Sequence, residues 1–249
     1  MNARIDVDVL SSAVADLDRR IAAVDWLAVE RRLDAGGNAR IEGLLTPDEC
    51  AASVALYPED PLFRSRIVMA RHGFGRGEYK YFAYPLPALV ARLRSELYPR
   101  LVPVANRWSK ELGDEVQFPP VHATFIKRCH AAGQRRPTPL LLRYAAGDYN
   151  CLHQDLYGEH VFPLQVAILL AQPGRDFEGG ELMLTEQRPR MQTRAQVVNL
   201  RQGDAVIFAV HHRPVRGTRG FYRVDMRHGV SELRSGHRHT LGIIFHDAA

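Results

Sequence analysis

With 249 residues, the chain is long for one average domain but ordinary for one all-β domain with helical additions. Apolar residues make up 46% and charged residues 24%, which suffices for a buried core and excludes a disordered tail. The formal net charge is +5 and the pI is about 9.3, so the distribution of the charge is more informative than its sum.

Helical patterns dominate the first half of the chain. Residues 9–33 carry apolar side chains at helical spacing and predict one or two amphipathic helices, with a stripe formed by Leu10, Val14, Leu17, Ile21 and Val24. Residues 39–41 look like a short strand. Thr46-Pro47-Asp48-Glu49 predicts a helix start with a capping box, and this helix should run to about Leu56. Residues 58–84 predict a loop or hairpin, and further helices are expected over 88–112, broken at Pro99, and over 121–132.

Short β-type runs replace the helical pattern from residue 140 onward. They are separated by Gly, Pro and Asp and cover residues 140–144, 164–170, 181–184, 205–209, 222–226 and 240–245. Such a series predicts a sandwich or jelly roll. We interpret residues 1–38 as a helical extension and residues 39–249 as one domain, whose jelly-roll core spans about 138–247.

Charge and cysteine usage indicate a partner and a compartment. Basic residues dominate three stretches, 63–80, 126–143 and 211–227, which favours an anionic partner such as nucleic acid, although scattered arginines also make an ordinary basic surface. The three cysteines lack C-x-x-C spacing, which indicates a reducing compartment. No apolar run approaches the roughly 20 residues of a membrane span, and no signal peptide is evident. A cytoplasmic location without membrane contact is expected.

His153-Gln154-Asp155 is the candidate for chemistry. In an extended strand, residues two apart point to the same face, so one imidazole and one carboxylate can hold a metal ion there. A distant histidine would complete the two-histidine, one-carboxylate set that binds Fe(II) and leaves positions open for reaction. His228 is the candidate for this third ligand, and His211 and His212 are its rivals. By itself, a His-x-Asp pair is also typical of an ordinary surface.

An ordered series of motifs surrounds this pair. The series consists of Gly43 to Cys50, Leu142 to Asn150, Phe177-Glu178-Gly179-Gly180-Glu181-Leu182, Gln202 to Phe208, His228-Gly229-Val230 and Gly236 to Leu241. It resembles the Fe(II)- and 2-oxoglutarate-dependent dioxygenases, particularly their prolyl-hydroxylase-like branch, over residues 39–247. The resemblance implies an all-β core with helices, namely a double-stranded β-helix (jelly roll, cupin-like) with an N-terminal helical layer.

The same resemblance implies a ligand set and a co-substrate. His153, Asp155 and His228 would bind Fe(II). Arg238, ten residues after His228, would hold the distal carboxylate of 2-oxoglutarate with its guanidinium fork. The glycine and the arginine that follow His228 favour it over its two rivals. The implied reaction consumes O2 and 2-oxoglutarate and releases succinate and CO2, with ascorbate as a candidate reductant.

Two further residues are candidates for 2-oxoglutarate binding. Tyr144 lies on the strand that leads to the first ligand, and Thr240 follows Arg238 on the same face of its strand. Each side chain has two interpretations, a hydroxyl contact to 2-oxoglutarate or packing in the core.

The substrate is indicated by a closer resemblance. Residues 63–84 and 152–172 resemble a bacterial oxygenase family proposed to repair alkylated DNA by oxidative demethylation, on the segments Arg71 to Gly75, Glu78 to Phe82, Cys129 to Gln134 and Asp155 to Pro163. An enzyme of this kind takes a single-stranded or flipped base and stacks it on aromatic side chains. The candidate substrate-binding residues are Arg71, Tyr79, Lys80 and Tyr81. The sequence is equally compatible with a second interpretation, in which the aromatic side chains pack on the jelly roll while the arginines stay solvated.

Two alternatives remain open at this point. The spacing of ten residues between His228 and Arg238 matches the prolyl-hydroxylase branch better than AlkB-type demethylases. Hydroxylation of a prolyl residue, another protein side chain or a free amino acid is therefore a second hypothesis. A third is a catalytically silent binding or sensing module, which the intact ligand set and Arg238 disfavour.

Overall fold

The computed structural model describes residues 16–249. In this range the helices are α1 (residues 16–22), α2 (Trp26–Gly36), α3 (Pro47–Ala55), α4 (Ala88–Leu112) and α5 (His122–Ala131). The strands are β1 (Asn38–Ile41), β2 (Phe63–Val68), β3 (Gly75–Arg76), β4 (Glu78–Phe82), β5 (Leu140–Ala145), β6 (Tyr149–His153), β7 (Leu164–Leu169), β8 (Phe177–Gly179), β9 (Leu182–Gln187), β10 (Arg194–Val198), β11 (Ala205–Ala209), β12 (His212–Gly217), β13 (Gly220–Val230) and β14 (Leu233–Ile243). None of the helices in this range combines the length and the apolar character needed to cross a bilayer.

Antiparallel pairing arranges these strands in two sheets. The eight-stranded sheet has the order β1-β11-β7-β14-β5-β4-β2, with β8 on β14. The six-stranded sheet has the order β10-β9-β13-β6-β3, with β12 on β13. Neighbours such as β14 and β5, or β13 and β6, are far apart in the chain, as they are when a chain winds between two facing sheets. The expected double-stranded β-helix with a helical layer is confirmed.

The large sheet separates two apolar layers because successive side chains point to opposite faces. On β11, Ala205, Ile207 and Ala209 belong to the main core, which the helices also enter. Val206 and Phe208 belong to a second core with residues of the small sheet, such as Leu184 and Val230. The interior between the two sheets is therefore lined by one parity of residues on each strand.

Helix α4 packs on the main core, against β14 of the large sheet and against β12 and β13 of the small sheet. The predicted break at Pro99 is wrong, because the helix continues through Pro99 and Pro103 to Leu112 and ends at Gly113 in a left-handed conformation. A proline inside a helix costs about 3 kcal/mol. Burial of a continuous apolar face offsets this cost, and its members include Leu93, Leu97, Leu101, Val104 and Trp108.

The N-terminal helices pack against the same core. Leu17 and Ile21 of α1 are buried in it, and Arg20 binds both carboxylate oxygens of Glu49 on α3 at 2.6 and 2.8 Å. The capping box of α3 is present as predicted, since Thr46 accepts from the Glu49 N–H and Glu49 accepts from the Thr46 N–H. The part of the predicted first helix before residue 16, with Leu10 and Val14, lies outside the described residues.

Strands from before residue 138 extend the jelly-roll core. β1 pairs with β11, and β4 pairs with β5, so both edges of the large sheet come from the first third of the chain. The segment predicted as a loop or hairpin is a β2–β4 hairpin that belongs to this sheet. Strands β6, β8, β10 and β12 lie outside the predicted β-type runs, since their residues carry no strong alternation.

Candidate metal centre and co-substrate cavity

Two paired strands of the small sheet bring the three candidate ligands together. His153 ends β6, Asp155 follows two residues later, and His228 lies on β13. β6 and β13 pair antiparallel with His153 and His228 as register partners. On β13, alternate residues are buried, so that His228 points inward with Val224 and Met226. One ligand atom from each of His153, Asp155 and His228 lies within 4.8 Å of the others.

The donor atoms of this cluster converge. His153 Nε2 lies 3.5 Å from Asp155 Oδ1, and His228 Nε2 lies 3.3 Å from Asp155 Oδ2. The two imidazole rings are tilted, with centroids 4.1 Å apart. His153 Nδ1 lies 2.8 Å from the Cys151 carbonyl oxygen and donates to it, so Nε2 is the ring nitrogen that faces the cluster. Two imidazole nitrogens and one carboxylate form a donor set that fits Fe(II).

Asp155 is held by two polar side chains that were not predicted. The Tyr157 hydroxyl donates to Asp155 Oδ1 at 2.5 Å. Gln165 Nε2 donates to Asp155 Oδ2 at 3.0 Å and lies 3.1 Å from His228 Nε2. Gln165 carried a sequence signal, because it is the one polar residue in the apolar run from Leu164 to Leu170. A buried polar side chain in such a strand indicates a polar partner.

Burial and mutual contact determine the charge of the cluster. Burial by itself raises the pKa of Asp155, but hydrogen bonds with His153 and His228 hold it well below its ordinary value. Burial lowers the pKa of His228. For His153, burial is outweighed by the contact with Asp155, and its pKa is raised. An anionic Asp155 and a neutral His228 are the protonation states that a metal requires of these ligands.

Arg238 is a buried cation on β14 that faces the same interior. Its Nη1 donates to Thr240 Oγ1 at 2.7 Å, its guanidinium lies 5.5 Å from the centroid of the Tyr144 ring, and its Nε has no partner among the described residues. Burial lowers its pKa, yet an arginine stays protonated in proteins. No acidic side chain within residues 16–249 forms a contact ion pair with it, and the carboxylate of Glu181 acts on it at longer range. A buried unpaired cation is costly and is the natural partner of an anion that enters the cavity.

Tyr144 stands opposite Arg238 in the register of β5 and β14. Its ring is fully buried, and its hydroxyl makes no hydrogen bond within the described part of the chain. The structure therefore brings Tyr144, Arg238 and Thr240 together, with one orphaned hydroxyl and one orphaned guanidinium nitrogen. Together they fit a carboxylate that accepts hydrogen bonds.

One cavity of about 390 Å³ connects the cluster with these three residues. It lies between the two sheets, and its wall is mostly apolar, formed by side chains such as Leu140, Leu142, Val166, Ala167 and Phe208. Its size is typical of a small-molecule site. A site that combines a metal-ligand cluster and a buried cation in one apolar cavity can hold an organic acid beside a metal and exclude bulk water.

The candidate substrate residues separate into two groups. Tyr79 lines the cavity. The ring of Tyr81 contacts the ring of Tyr79 edge-on, with centroids 5.3 Å apart. Tyr81 also lies against Tyr157 at 6.3 Å. Lys80 points to the opposite face of β4, where its ammonium group binds Asp60 Oδ1 at 2.6 Å and the Tyr57 carbonyl at 2.9 Å. Lys80 is therefore not at the cavity, and Arg71 is exposed on the loop that leads to it.

The rival histidines lie outside the cluster. His212 Nδ1 is 2.8 Å from Asp225 Oδ1, and the ring of His211 packs on that of His212 at 4.3 Å. Burial lowers the pKa of His211 to about 4. The structure thus places His228, and neither His211 nor His212, beside His153 and Asp155.

Comparison of the fold with solved structures agrees with this architecture. A prolyl 4-hydroxylase of Pseudomonas putida shares 13% identity, covers 87% of this chain and 96% of its own, and superposes with a TM-score of 0.53. An oxidoreductase of the 2-oxoglutarate–Fe(II) oxygenase family from Burkholderia pseudomallei shares 15% identity, with 91% and 94% coverage and a TM-score of 0.54. A Trichoplax adhaerens prolyl hydroxylase, solved with a hypoxia-inducible factor peptide, shares 14% identity, 92% coverage of each chain and a TM-score of 0.53. At this identity the likeness concerns the fold.

Fold, ligand cluster and family together define a 2-oxoglutarate-dependent non-haem Fe(II) dioxygenase. A family model described as "oxygenase, catalysing oxidative methylation of damaged DNA" matches residues 77–248, and the chain belongs to this family. An uncharacterised protein of Mycobacterium tuberculosis is 49% identical over 168 residues, which are 68% of this chain and 72% of that protein. The range 77–248 that the family model matches contains all six candidate residues for the metal and 2-oxoglutarate, namely Tyr144, His153, Asp155, His228, Arg238 and Thr240.

Proposed function

We propose that the protein oxidatively demethylates alkylated bases in DNA. The main support is that one apolar cavity contains the His153–Asp155–His228 cluster and the unpaired Arg238. The family to which the chain belongs is described as acting on damaged DNA. The reaction converts N–CH3, O2 and 2-oxoglutarate to N–CH2OH, succinate and CO2. The N–CH2OH group then releases formaldehyde and leaves N–H, so every atom is accounted for.

In this proposal, His153, Asp155 and His228 hold Fe(II), which supplies the C–H hydroxylation chemistry when it is bound with O2 and 2-oxoglutarate. The chain's own residues prepare the ligands. The Cys151 carbonyl orients the His153 ring, and Tyr157 and Gln165 orient the carboxylate of Asp155. Such outer contacts tune both the position and the basicity of metal ligands.

Arg238 binds the distal carboxylate of 2-oxoglutarate in this proposal, with Thr240 and Tyr144 beside it. The Thr240 hydroxyl accepts from Arg238 and keeps its own proton available for the carboxylate. The buried Tyr144 hydroxyl supplies a further donor. The guanidinium would neutralise the carboxylate, the two hydroxyls would donate hydrogen bonds to it, and the apolar wall excludes water from the reacting C–H bond.

The base reaches the cavity from a single strand or from a duplex by flipping, because a stacked base cannot enter a cavity of this kind. Tyr79 on the cavity wall is the candidate contact to the base, with Tyr81 behind it. Lys80 takes no part, since its ammonium group is bound to Asp60 on the other face of the sheet. We also propose a cytoplasmic location, in keeping with three free cysteines.

Formaldehyde release from single-stranded DNA treated with methyl methanesulfonate tests this function. We expect release that requires Fe(II), 2-oxoglutarate and O2. Asp155→Ala should abolish both formaldehyde and succinate, whereas Glu159→Ala, an exposed acid on the same loop, should leave both unchanged. The absence of formaldehyde, together with a hydroxylated product from a proline-containing peptide, would instead establish protein hydroxylation.

A further inference from the structure

The loop that joins β2 to β4, residues 69–77, borders the mouth of the cavity. Gly73 and Phe74 of this loop line the same cavity as the ligand cluster. Phe74 lines this cavity and is nevertheless 48% exposed to solvent. The His72 ring lies against the Phe74 ring with centroids 5.3 Å apart and an interplanar angle of 23°. The loop therefore presents a stacked pair of rings to the solvent at the entrance.

The backbone of this loop is fixed to the strand that carries His153. The Phe74 carbonyl accepts from the Cys151 N–H at 2.9 Å, and the Phe74 N–H donates to the Met69 carbonyl at 3.2 Å. Gly75 pairs with Asn150 on β6 at a φ of +124°, where any Cβ would collide with the Tyr149 carbonyl oxygen. The two rings consequently occupy a defined position relative to the cavity, although their side chains pack on no core.

Unpaired arginines stand on both sides of the two aromatic residues in the sequence. Arg71 and Arg76 are exposed, and neither forms an ion pair within residues 16–249. Other arginines of the same basic stretch are neutralised, for example Arg66, which pairs with Glu78. Positive side chains beside exposed aromatic rings suit single-stranded nucleic acid, because the arginines can bind its phosphates and the rings can stack on its bases.

We propose that Phe74, supported by His72, is a stacking surface for a nucleobase of single-stranded DNA at the cavity entrance, with Arg71 and Arg76 on its phosphates. This inference rests on the proposed function and identifies how its substrate is held. Stacking on an aromatic side chain recognises the π-face that every base has, so it positions the strand without selecting the sequence. The base that stacks on Phe74 would then be the target or its immediate neighbour.

The experiment uses a fluorescein-labelled single-stranded oligonucleotide and a matched one that contains 2-aminopurine, whose fluorescence reports stacking. Both are titrated against the Fe(II)- and 2-oxoglutarate-loaded protein without O2, so that no turnover occurs. Phe74→Ala should weaken binding about tenfold, as loss of one stacked base does, and should abolish the 2-aminopurine signal. Phe74→Trp should retain both. Phe221→Ala removes a similarly exposed phenylalanine (44%) that lies outside the cavity, and should change neither.

The arginines give an independent readout. Arg71→Gln and Arg76→Gln should each reduce the slope of log affinity against log salt by about 0.7, the value for one phosphate contact on a single strand. The proposal is overturned if Phe74→Ala binds and signals like the wild type, or if the wild type does not bind the oligonucleotide. The proposed function has a separate test: it is wrong if methylated DNA yields no formaldehyde, even when stacking on Phe74 is observed.

Discussion

His153 and His228 lie opposite each other on neighbouring strands, and their rings are 4.1 Å apart between centroids. The register shifts between His228 and Val230, so Gly229 sits at an irregular point of the ladder. A Cβ atom at Gly229 would lie 2.6 Å from the Asn150 carbonyl oxygen. The absence of a side chain at Gly229 therefore permits the close approach that brings the two histidines together.

Gly229→Ala should separate β13 from β6 and disturb the metal centre. Overpacking of this kind typically costs about 1–3 kcal/mol of unfolding free energy. We expect a lower melting temperature and weaker Fe(II) binding, measured by thermal unfolding with and without metal. Gly36→Ala is the control, because its Cβ would have its nearest neighbour at 3.7 Å. Wild-type metal affinity in Gly229→Ala would show that the close approach is unimportant.

Arg238→Met should weaken the binding of 2-oxoglutarate without lowering the stability of the fold. Removal of a buried unpaired cation relieves its desolvation cost, so the melting temperature without 2-oxoglutarate should be unchanged or higher. Loss of charged hydrogen bonds worth about 1.5–3 kcal/mol should raise the KM for 2-oxoglutarate about 10- to 100-fold. It should also abolish the thermal shift that 2-oxoglutarate produces. An unaltered KM would remove Arg238 from the co-substrate site.

Tyr157→Phe removes one hydrogen bond from Asp155 and keeps the ring. Loss of such an outer contact typically weakens metal binding about 10- to 100-fold. We expect this loss in a titration with Co(II), whose visible spectrum reports coordination. Tyr149→Phe is the matched control, since Tyr149 is exposed on the strand that carries His153. Equal Co(II) affinity in both variants would limit Tyr157 to packing.

His246 should make the fold sensitive to acid. Burial lowers its pKa to about 3, and its Nδ1 accepts from the Phe162 N–H at 3.2 Å. The unfolded chain binds a proton near the ordinary histidine value of about 6.5, so stability is full above that pH and is lost as the pH falls toward 3. His246→Asn keeps an acceptor but cannot titrate. Its melting temperature should therefore fall less than that of the wild type between pH 7 and pH 5, and an equal fall would contradict this assignment.

Local patterns and motif order predicted much of the fold and of the candidate site. The Thr46 capping box, the strands after residue 140 and the ligand series with Arg238 all depend on residues close in the chain or on an ordered motif series. Local patterns did not predict that Lys80 points away from the cavity. A sheet places alternate residues on opposite faces, and only the pairing of β4 with β5 determines which face meets the cavity.

Other features depend on contacts between distant segments. Tyr157 and Gln165 support Asp155 only because the loop after β6 and strand β7 meet at the cluster. Helix α4 continues through Pro99 because the sheet buries its apolar face, which local propensity does not report. The exposed position of Phe74 follows from the docking of its loop on β6.

In the proposed function, the cavity oxidises N-methyl groups on DNA bases at the expense of 2-oxoglutarate. The most direct measurement is the ratio of formaldehyde to succinate formed on single-stranded DNA treated with methyl methanesulfonate. We predict a ratio near one, with both products absent when the DNA is unmethylated. Succinate formed at the same rate with methylated and unmethylated DNA, without formaldehyde, would contradict the proposed demethylation.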